Sequence, residues 1–509
     1  MSTLDDRPAW VADAVFYQIF PDRFARSERL TKPAHLEPWD GPPTTYGYKG
    51  GDLFGVAEHV DWLVDLGITA VYLNPIFQSA ANHRYHTHDY FHVDPLLGGN
   101  EAFEEMLEAC HGRGIKVVLD GVFNHASRGF FQFNDILENG EGSPWLDWFH
   151  VFEANNTNAY DDSEPPGYDA WWNMHALPKF NTENPQVREF LMEVGEHWIR
   201  KGIDGWRLDV PEEITTQGFW EEFRQRVRAV NPDAYIVGEI WRLAPDWIGE
   251  SPRFDAVMNY RFTEAALRFA AGPRLDKDVT APVNLTLRPP YDGAQYARAV
   301  EAILAAYPQE ANRSNLNLLG SHDTPRVLSM AGGDEASVIL AALLQFTFPG
   351  APCIYYGDEI GMTGAHDPGS RGAFPWDRQS SWNTGLLEVF RSLTKLRHSQ
   401  PALRSAAYRT VLAEGPVHAF LRGAADDGCL LVAVNTADHP VHPWAPLRAA
   451  SAEPLWGHGA AMVGDGTIRL ELPGRAGAVW RLSGAHLEPC LRVEVEGWEQ
   501  PSSEGAGPE

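Results

Sequence analysis

The run Ile203-Asp204-Gly205-Trp206-Arg207-Leu208-Asp209 reads as a short buried strand that ends on two charged residues. Before it lies a helical pattern, with Pro185 at the start, Val187, Phe190, Leu191, Val194 and Trp198 on one face, and Gly202 as the stop. After it a helix at 219–230 leads into a second apolar run, 234–239, which ends on Glu239. One βα unit therefore follows another, each strand buried and each closing on a polar residue. The same unit recurs outward in both directions. Apolar runs at 14–20, 68–73 and 115–120 precede it, with helical spacing of Val56, Val60, Leu63 and Val64, and a second helix through Phe103, Met106, Leu107 and Cys110 that Asn100 is expected to cap. Runs at 254–258, 315–319 and 352–356 follow, the last after an apolar helix near 338–348.

Eight strands separated mostly by helices predict a (β/α)8 TIM barrel, although alternation by itself is shared with doubly wound sheets. The polar residues separate the two. Asp120, Asp209, Glu239 and Ser321-His322-Asp323 all fall at C-terminal strand ends, where barrel active sites are built. The barrel is expected over 1–123 and 182–402. Between 124 and 181 the pattern breaks into a stretch rich in Asn, Asp, Gly and aromatics, too long for an ordinary connection and read as a small inserted domain. Short alternating runs such as 430–434 and 478–482 predict a C-terminal antiparallel β-sandwich at 403–496, and 497–509 reads as a disordered tail.

Composition narrows the partners. Among 509 residues, 41 Lys and Arg against 69 Asp and Glu leave a net charge of −28, which repels phosphate backbones and anionic membrane faces. Nucleic acid and membrane partners are therefore not expected. A neutral substrate is, and 18 Trp, 16 Tyr and 25 Phe include rings on which sugars can stack, although most must serve the core. No apolar stretch spans a bilayer and the first ten residues carry no secretory signal, so a cytoplasmic location is expected. Cys110, Cys353, Cys429 and Cys490 are scattered and read as free thiols in packed sites.

On a strand, residues two apart face the same side, so Arg207 and Asp209 point together toward the barrel mouth. The arginine is expected to hold the aspartate ionised, which would make it a nucleophile toward an anomeric carbon. The pair reads equally well as a buried ion pair tying the barrel together. Glu239 ends the adjacent strand, near enough for the roughly 5–5.5 Å separation of a retaining glycosidase, and an anionic neighbour is expected to raise its pKa as a general acid requires. Gly238 allows close approach of substrate or a neighbouring chain. Asp323, beside His322, either hydrogen-bonds sugar hydroxyls or caps a helix starting at Pro325. His125 in Asp120-Gly121-Val122-Phe123-Asn124-His125 reads as a hydroxyl donor or as structural. The cluster His83-Arg84-Tyr85-His86-Thr87-His88-Asp89 lacks the spacing of a zinc site and reads as sugar contact, with Tyr85 stacking.

Taken together, the segments 120–125, 205–209, 238–241 and 321–323 resemble in order and spacing the four signature regions of the α-amylase family of glycoside hydrolases. That resemblance implies Asp209 as nucleophile, Glu239 as acid/base and Asp323 as transition-state stabiliser, with Tyr85, His83, His125, Arg207 and His322 lining the subsite of the attacked glucose. Leu177-Pro178-Lys179-Phe180-Asn181 and Gly238-Glu239-Ile240-Trp241 are similar to the neopullulanase, cyclomaltodextrinase and maltogenic amylase subgroup, which implies Trp241 bordering the acceptor side and Glu213 as a further substrate contact. The implied activity is retaining hydrolysis of α-glucosidic bonds, mainly α-1,4, in maltooligosaccharides or cyclodextrins, with transglycosylation. A sucrose- or maltose-acting transglycosylase or isomerase, an oligo-1,6-glucosidase and a non-catalytic binding subunit are the alternatives.

Several positions depart from the subgroup. Its extra N-terminal domain has no counterpart here, so a monomer, or an oligomer not built on that domain, is expected. Val210-Pro211-Glu212-Glu213 replaces V-A-N-E, Arg242 stands where His is common, and His86 where Asp is common. The subgroup's calcium loop after the first strand is replaced by Phe24-Ala25-Arg26-Ser27-Glu28-Arg29-Leu30, with only Gly50 and Asp52 surviving. The chemistry requires no cofactor, and calcium, if held, is to be sought at Asp52 and Asn124.

Overall fold

The computed structural model describes residues 7–249, 252–423, 428–464 and 466–484. The tail expected at 497–509, the end of the C-terminal unit and Cys490 lie outside the described residues.

Eight short parallel strands form one sheet: β1 (Phe16–Ile19), β2 (Ala70–Leu73), β3 (Lys116–Gly121), β4 (Gly205–Leu208), β5 (Tyr235–Gly238), β6 (Ala256–Val257), β7 (Leu316–Leu318) and β8 (Ala351–Tyr355). Their order is β6-β5-β4-β3-β2-β1-β8-β7. A parallel bridge between Met258 and Leu316 joins the two ends and makes the sheet a barrel. Every residue of these eight strands is buried except Lys116 at the start of β3, because one face fills the barrel interior and the other packs on the surrounding helices. All eight apolar runs of the sequence fall on these strands.

Local stops and caps explain the helices. Pro185 opens the helix Pro185–Arg200 and the Asn184 side chain accepts from the Gln186 N–H, while Asp334 caps Glu335–Thr347. Asn100 does not cap its helix. The helix begins one residue earlier behind left-handed Gly98, and Asn100 Oδ1 accepts the Val93 N–H instead. Asp323 is likewise no cap: the helix Val327–Met330 begins beyond it at Arg326.

The segment between β3 and Pro185 folds on rings. Phe133 packs edge-on against Phe149 and Tyr168, and Phe149 stacks on Phe180 at 5.3 Å. Antiparallel bridges His125–Lys179, Phe149–Phe180 and Ala170–Pro178 tie its two ends together, so that it returns to the barrel beside the point where it left.

Beyond the barrel, β9 (Tyr408–Glu414), β10 (Val417–Arg422), β11 (Cys429–Asn435), β12 (Trp444–Ala445), β13 (Ser451–Gly457), β14 (Ala460–Gly464), β15 (Thr467–Glu471) and β16 (Ala476–Ser483) form two antiparallel sheets, ordered β9-β10-β11-β16-β13 and β12-β15-β14. Alternation along β10 divides its neighbours. Val417, Ala419 and Leu421 pack toward the three-stranded sheet with Ile468 and Leu470, whereas Phe420 joins the barrel core.

Arg422, at the end of β10, is wholly buried and donates to the carbonyls of Thr347, Leu403, Ser405 and Ala407. One guanidinium thus satisfies four acceptors along the seam between barrel and sheet. Replacing it by methionine strands those carbonyls, and Arg422→Met is expected to cost about 3 kcal/mol in denaturant unfolding. A midpoint equal to wild type would show that the seam does not depend on it.

Candidate active site

The C-terminal ends of the strands converge on one guanidinium. Arg207 on β4 is fully buried, and its Nη1 donates to Asp120 Oδ1 on β3 and to Asp209 Oδ1 just past β4, both at 2.8 Å. Its Nη2 lies 3.0 Å from Glu239 Oε2, past the end of β5, without the alignment of a hydrogen bond. Three carboxylates from three adjacent strands therefore share one cation. Residue 209 ends a strand and residue 239 ends its neighbour because β4 and β5 pair in register, Leu208 opposite Gly238.

This sharing corrects one expectation. Arg207 was given to Asp209 alone, and that pairing should have favoured the charged form. Instead burial pushes the Asp209 carboxyl well up, Arg207 pulls against it, and Glu239 and Asp120 push it higher again. Burial raises Asp120 too, against the pull of Arg207 and the Tyr72 and Tyr85 hydroxyls. One positive charge is divided among three carboxylates in a site from which water is largely excluded, and the Asp209 and Asp120 carboxyls rise above the ordinary carboxylate range.

Glu239 is held from three sides. Oε2 accepts the Val210 N–H at 3.1 Å, and Oε1 accepts from Trp241 Nε1, whose ring stacks on Tyr260 at 3.6 Å. Val210 reaches Glu239 only because its backbone is left-handed, at φ 34°, a conformation that costs a β-branched residue about 1–3 kcal/mol. Gly238 makes room for a neighbouring chain rather than for substrate: a Cβ there would lie 2.6 Å from the Phe254 ring.

A second line of hydrogen bonds crosses the floor. Gln18 Nε2 on β1 donates to His322 Nδ1 at 2.8 Å, which leaves Nε2–H to face the Tyr85 hydroxyl at 2.7 Å, and that hydroxyl donates to Asp120 Oδ2 at 2.8 Å. Tyr72 donates to the same Oδ2, and Asn74 Nδ2 reaches the Tyr85 oxygen. The Tyr85 and His322 rings stack at 5.4 Å. Burial, followed by the Arg371 charge, holds His322 neutral, as burial holds His83. His83 Nδ1 accepts the Tyr85 N–H, and its ring lies 5.8 Å from Tyr85.

Asp323 faces the cleft, with Oδ2 3.1 Å from His322 Nε2 and Oδ1 3.5 Å from Arg371 Nη2. Its carboxyl is pushed up to about 7, first by burial and then by Glu239. His125 stacks on Trp171 at 5.3 Å, is held neutral by burial, and its buried Nε2 has no well-aligned partner among the described residues. Glu213 stands apart from the carboxylates, its Oε2 2.9 Å from Lys179 Nζ, so that it joins the β4 loop to the inserted segment.

The fold thus gathers Asp209, Glu239, Asp323, Arg207, Tyr85, His83, His322 and Trp241 around one cleft, with His125 stacked on Trp171 and Glu213 tied to Lys179, which bridges to His125. Gln18, Tyr72, Asn74, Trp171, Tyr260 and Arg371 were missed. Gln18 and Asn74 carried a signal, being polar residues within or just after apolar strand runs. Arg371 sits in a loop with no periodicity to mark it.

Asp52, one of the two positions at which calcium is to be sought, is already engaged by other groups. Asp52 Oδ1 accepts the Gly55 N–H and caps a helix, and its Oδ2 accepts the Ser27 N–H and lies 2.6 Å from Lys32 Nζ. Asn124 Nδ2 is turned to His125 Nδ1 at 3.2 Å. Among the described residues no three His, Cys, Asp or Glu side chains form a group able to hold a metal, the 83–89 cluster included.

Comparison with known proteins agrees with this geometry. A family model described as "Alpha amylase, catalytic domain" matches residues 18–392. A cyclomaltodextrinase from a Bacillus species is 41% identical over 452 residues, which cover 88% of this chain and 77% of the relative. Neopullulanase 2 of Thermoactinomyces vulgaris is 40% identical over 443 residues, 85% of this chain and 71% of the relative. The solved native form of the Nostoc punctiforme debranching enzyme superposes with a TM-score of 0.86 at 47% identity, covering 93% of this chain and 99% of that one. The chain belongs to the α-amylase family and is a glycoside hydrolase built on a (β/α)8 barrel.

The raised carboxyls have a kinetic consequence. Below the pKa of the cluster a further proton neutralises a carboxylate that must be charged, so the acid limb of kcat/KM on an activated α-glucoside is expected toward the value of about 7 set at Asp323. Asp323→Asn removes a negative neighbour, the remaining carboxyls release protons more readily, and the limb moves to lower pH. A wild-type limb in the ordinary carboxylate range of about 4, unmoved in the variant, would contradict this.

Proposed function

We propose that the protein hydrolyses α-1,4-glucosidic bonds of cyclodextrins and maltooligosaccharides with retention of configuration, with transfer to a sugar acceptor as a competing outcome. The observation that carries the reading is the pairing of Asp209 and Glu239 across the two nitrogens of Arg207. Asp209 attacks the anomeric carbon while Glu239 protonates the departing glycosidic oxygen. Glu239 then takes a proton from water, which attacks the glycosyl-enzyme ester and frees Asp209. Asp323, steadied by Arg371 and beside His322, is placed to hydrogen-bond ring hydroxyls more tightly as the sugar flattens toward an oxocarbenium ion. Neutral His125 and His322 suit hydroxyl contacts better than charged rings would. Lys179 and Glu213 stand on the rim as candidate acceptor-side contacts.

A second reading is cleavage of α-1,6 branch bonds, favoured by the debranching activity that the Nostoc relative's name states. Pullulan separates the two, because cleavage at α-1,4 links yields a linear trisaccharide containing one α-1,6 and one α-1,4 bond, and cleavage at α-1,6 links yields maltotriose. Profiling products from β-cyclodextrin, maltotriose, pullulan and sucrose over time is expected to show cyclodextrin and maltotriose consumed and the mixed-linkage trisaccharide released from pullulan. Sucrose turnover with the others untouched would replace both readings. Among the described residues no helix is long and apolar enough to cross a membrane, and Cys110, Cys353 and Cys429 are free and buried, which supports placement in a reducing cytoplasm.

Asp209→Asn and Glu239→Gln are each expected to lower kcat on maltotriose by about a thousandfold or more with the melting temperature preserved. With α-glucosyl fluoride, whose leaving group needs no proton, Glu239→Gln is expected to gain one covalent glycosyl unit by mass spectrometry and Asp209→Asn none. Undiminished turnover in either variant would remove that residue from the chemistry.

A further inference from the structure

In the loop between β1 and β2 and the turn after β2, a region where the family resemblance implies calcium, the buried carboxylates of Asp22, Asp52 and Asp94 and the half-buried one of Glu37 are each answered by a basic side chain. Asp22 receives Arg23 Nε at 2.7 Å together with the N–H groups of Lys49 and Gly50. Asp94 receives Arg84 Nε at 2.9 Å. Asp52 receives Lys32 at 2.6 Å, and Glu37 lies 3.3 Å from Lys49.

The two lysines bind as cations bind. Lys49 has a side chain fully withdrawn from solvent, and its Nζ is surrounded by oxygens: the carbonyls of Pro38, Gly41 and Pro42 at 2.7, 2.8 and 3.4 Å and the Glu37 carboxylate. Lys32 Nζ joins Asp52 to the Leu96 carbonyl at 3.3 Å, linking the loop, the start of the helix Leu53–Glu58 and the turn Pro95–Leu97. A calcium ion takes six to eight oxygens at about 2.3–2.6 Å. To reach Asp52 it would have to displace an ammonium already in contact with that carboxylate, and it would repel the ammonium if both stayed.

We propose that Lys32 and Lys49 are built-in cations that hold this loop in place of a metal ion, and that through it they position Tyr85 and His83. The route is continuous. Asn82 Nδ2 donates to the carbonyls of Thr45 and Gly47, Arg84 donates to the Asn82 carbonyl, and the segment between them carries His83 and leads to Tyr85 in the cleft. An ammonium on its own chain is not lost by dilution or chelation, as a bound ion is.

The test is thermal melting of the full chain, a readout independent of which substrate the cleft accepts. The wild-type melting temperature is expected to be the same in EDTA and in millimolar calcium, with kcat/KM on maltotriose also unchanged. Lys32→Met and Lys49→Met are each expected to melt lower and, through displaced Tyr85, to lose kcat/KM. Lys32→Ala, which empties the place beside Asp52, is expected to gain melting temperature on calcium titration where wild type gains none. A wild-type protein that melts lower in EDTA and recovers with calcium overturns the proposal. So does a Lys32→Met protein equal to wild type in melting, or a Lys32→Ala protein indifferent to calcium. If a lysine variant does not fold, the wild-type chelation series still decides.

Discussion

A guanidinium buried without solvent must find anions, and carboxylates buried without solvent must find cations or protons. Arg207 and the carboxylates around it are two halves of that single constraint. Five donors in a rigid planar fork let one side chain reach strands on both sides, which a lysine ammonium would not do with the same fixed geometry. Because three carboxylates divide one positive charge, the site is under-compensated, and burial lifts the Asp209 and Asp120 carboxyls above the ordinary carboxylate range. A barrel stabilised by a simple Arg–Asp pair would have no such surplus of carboxylates.

That electrostatic centre imposes demands on its surroundings. Val210 turns left-handed so that its N–H meets Glu239, at a conformational cost that the adjoining Pro211 and the packed strand ends sustain. Neutral His322 and Tyr85 pass hydrogen bonds from Gln18 to Asp120 across the barrel floor, ordering the mouth without adding net charge. The inserted segment closes one side through its own aromatic packing and presents Trp171 to His125. The β1–β2 loop closes another side with cationic side chains, and the rim pairs Lys179–Glu213 and Arg242–Glu212 tie neighbouring loops.

Much of this could be read along the chain. The barrel strands were legible because burial on both faces leaves nearly continuous apolar runs, and because Gly202, Pro185 and similar residues punctuate the helices by known stereochemistry. Asp209, Glu239 and Asp323 were legible because their signature segments stand together at strand ends; alone, Asp209 reads equally as half of an ion pair and Asp323 as a cap. Less visible were Trp171, Tyr260 and Arg371, whose roles depend on where loops return. Asn100 misled for a related reason: a good capping residue stood near a helix start, but Gly98 already supplied the turn and the Asn100 side chain was taken by Val93.

The sequence by itself determined the eight βα units, the strand ends on which the chemistry sits and the family to which the chain belongs, since periodicity and short motifs are local properties. Only the tertiary structure decided how charge is apportioned. Whether Arg207 serves one carboxylate or three, whether Asp52 stands alone or beside Lys32, and whether Asp323 caps a helix or faces the cleft are questions of distances between residues far apart in the chain. Electrostatic and hydrogen-bond energies depend on those distances and on burial, and neither is written in the order of the residues.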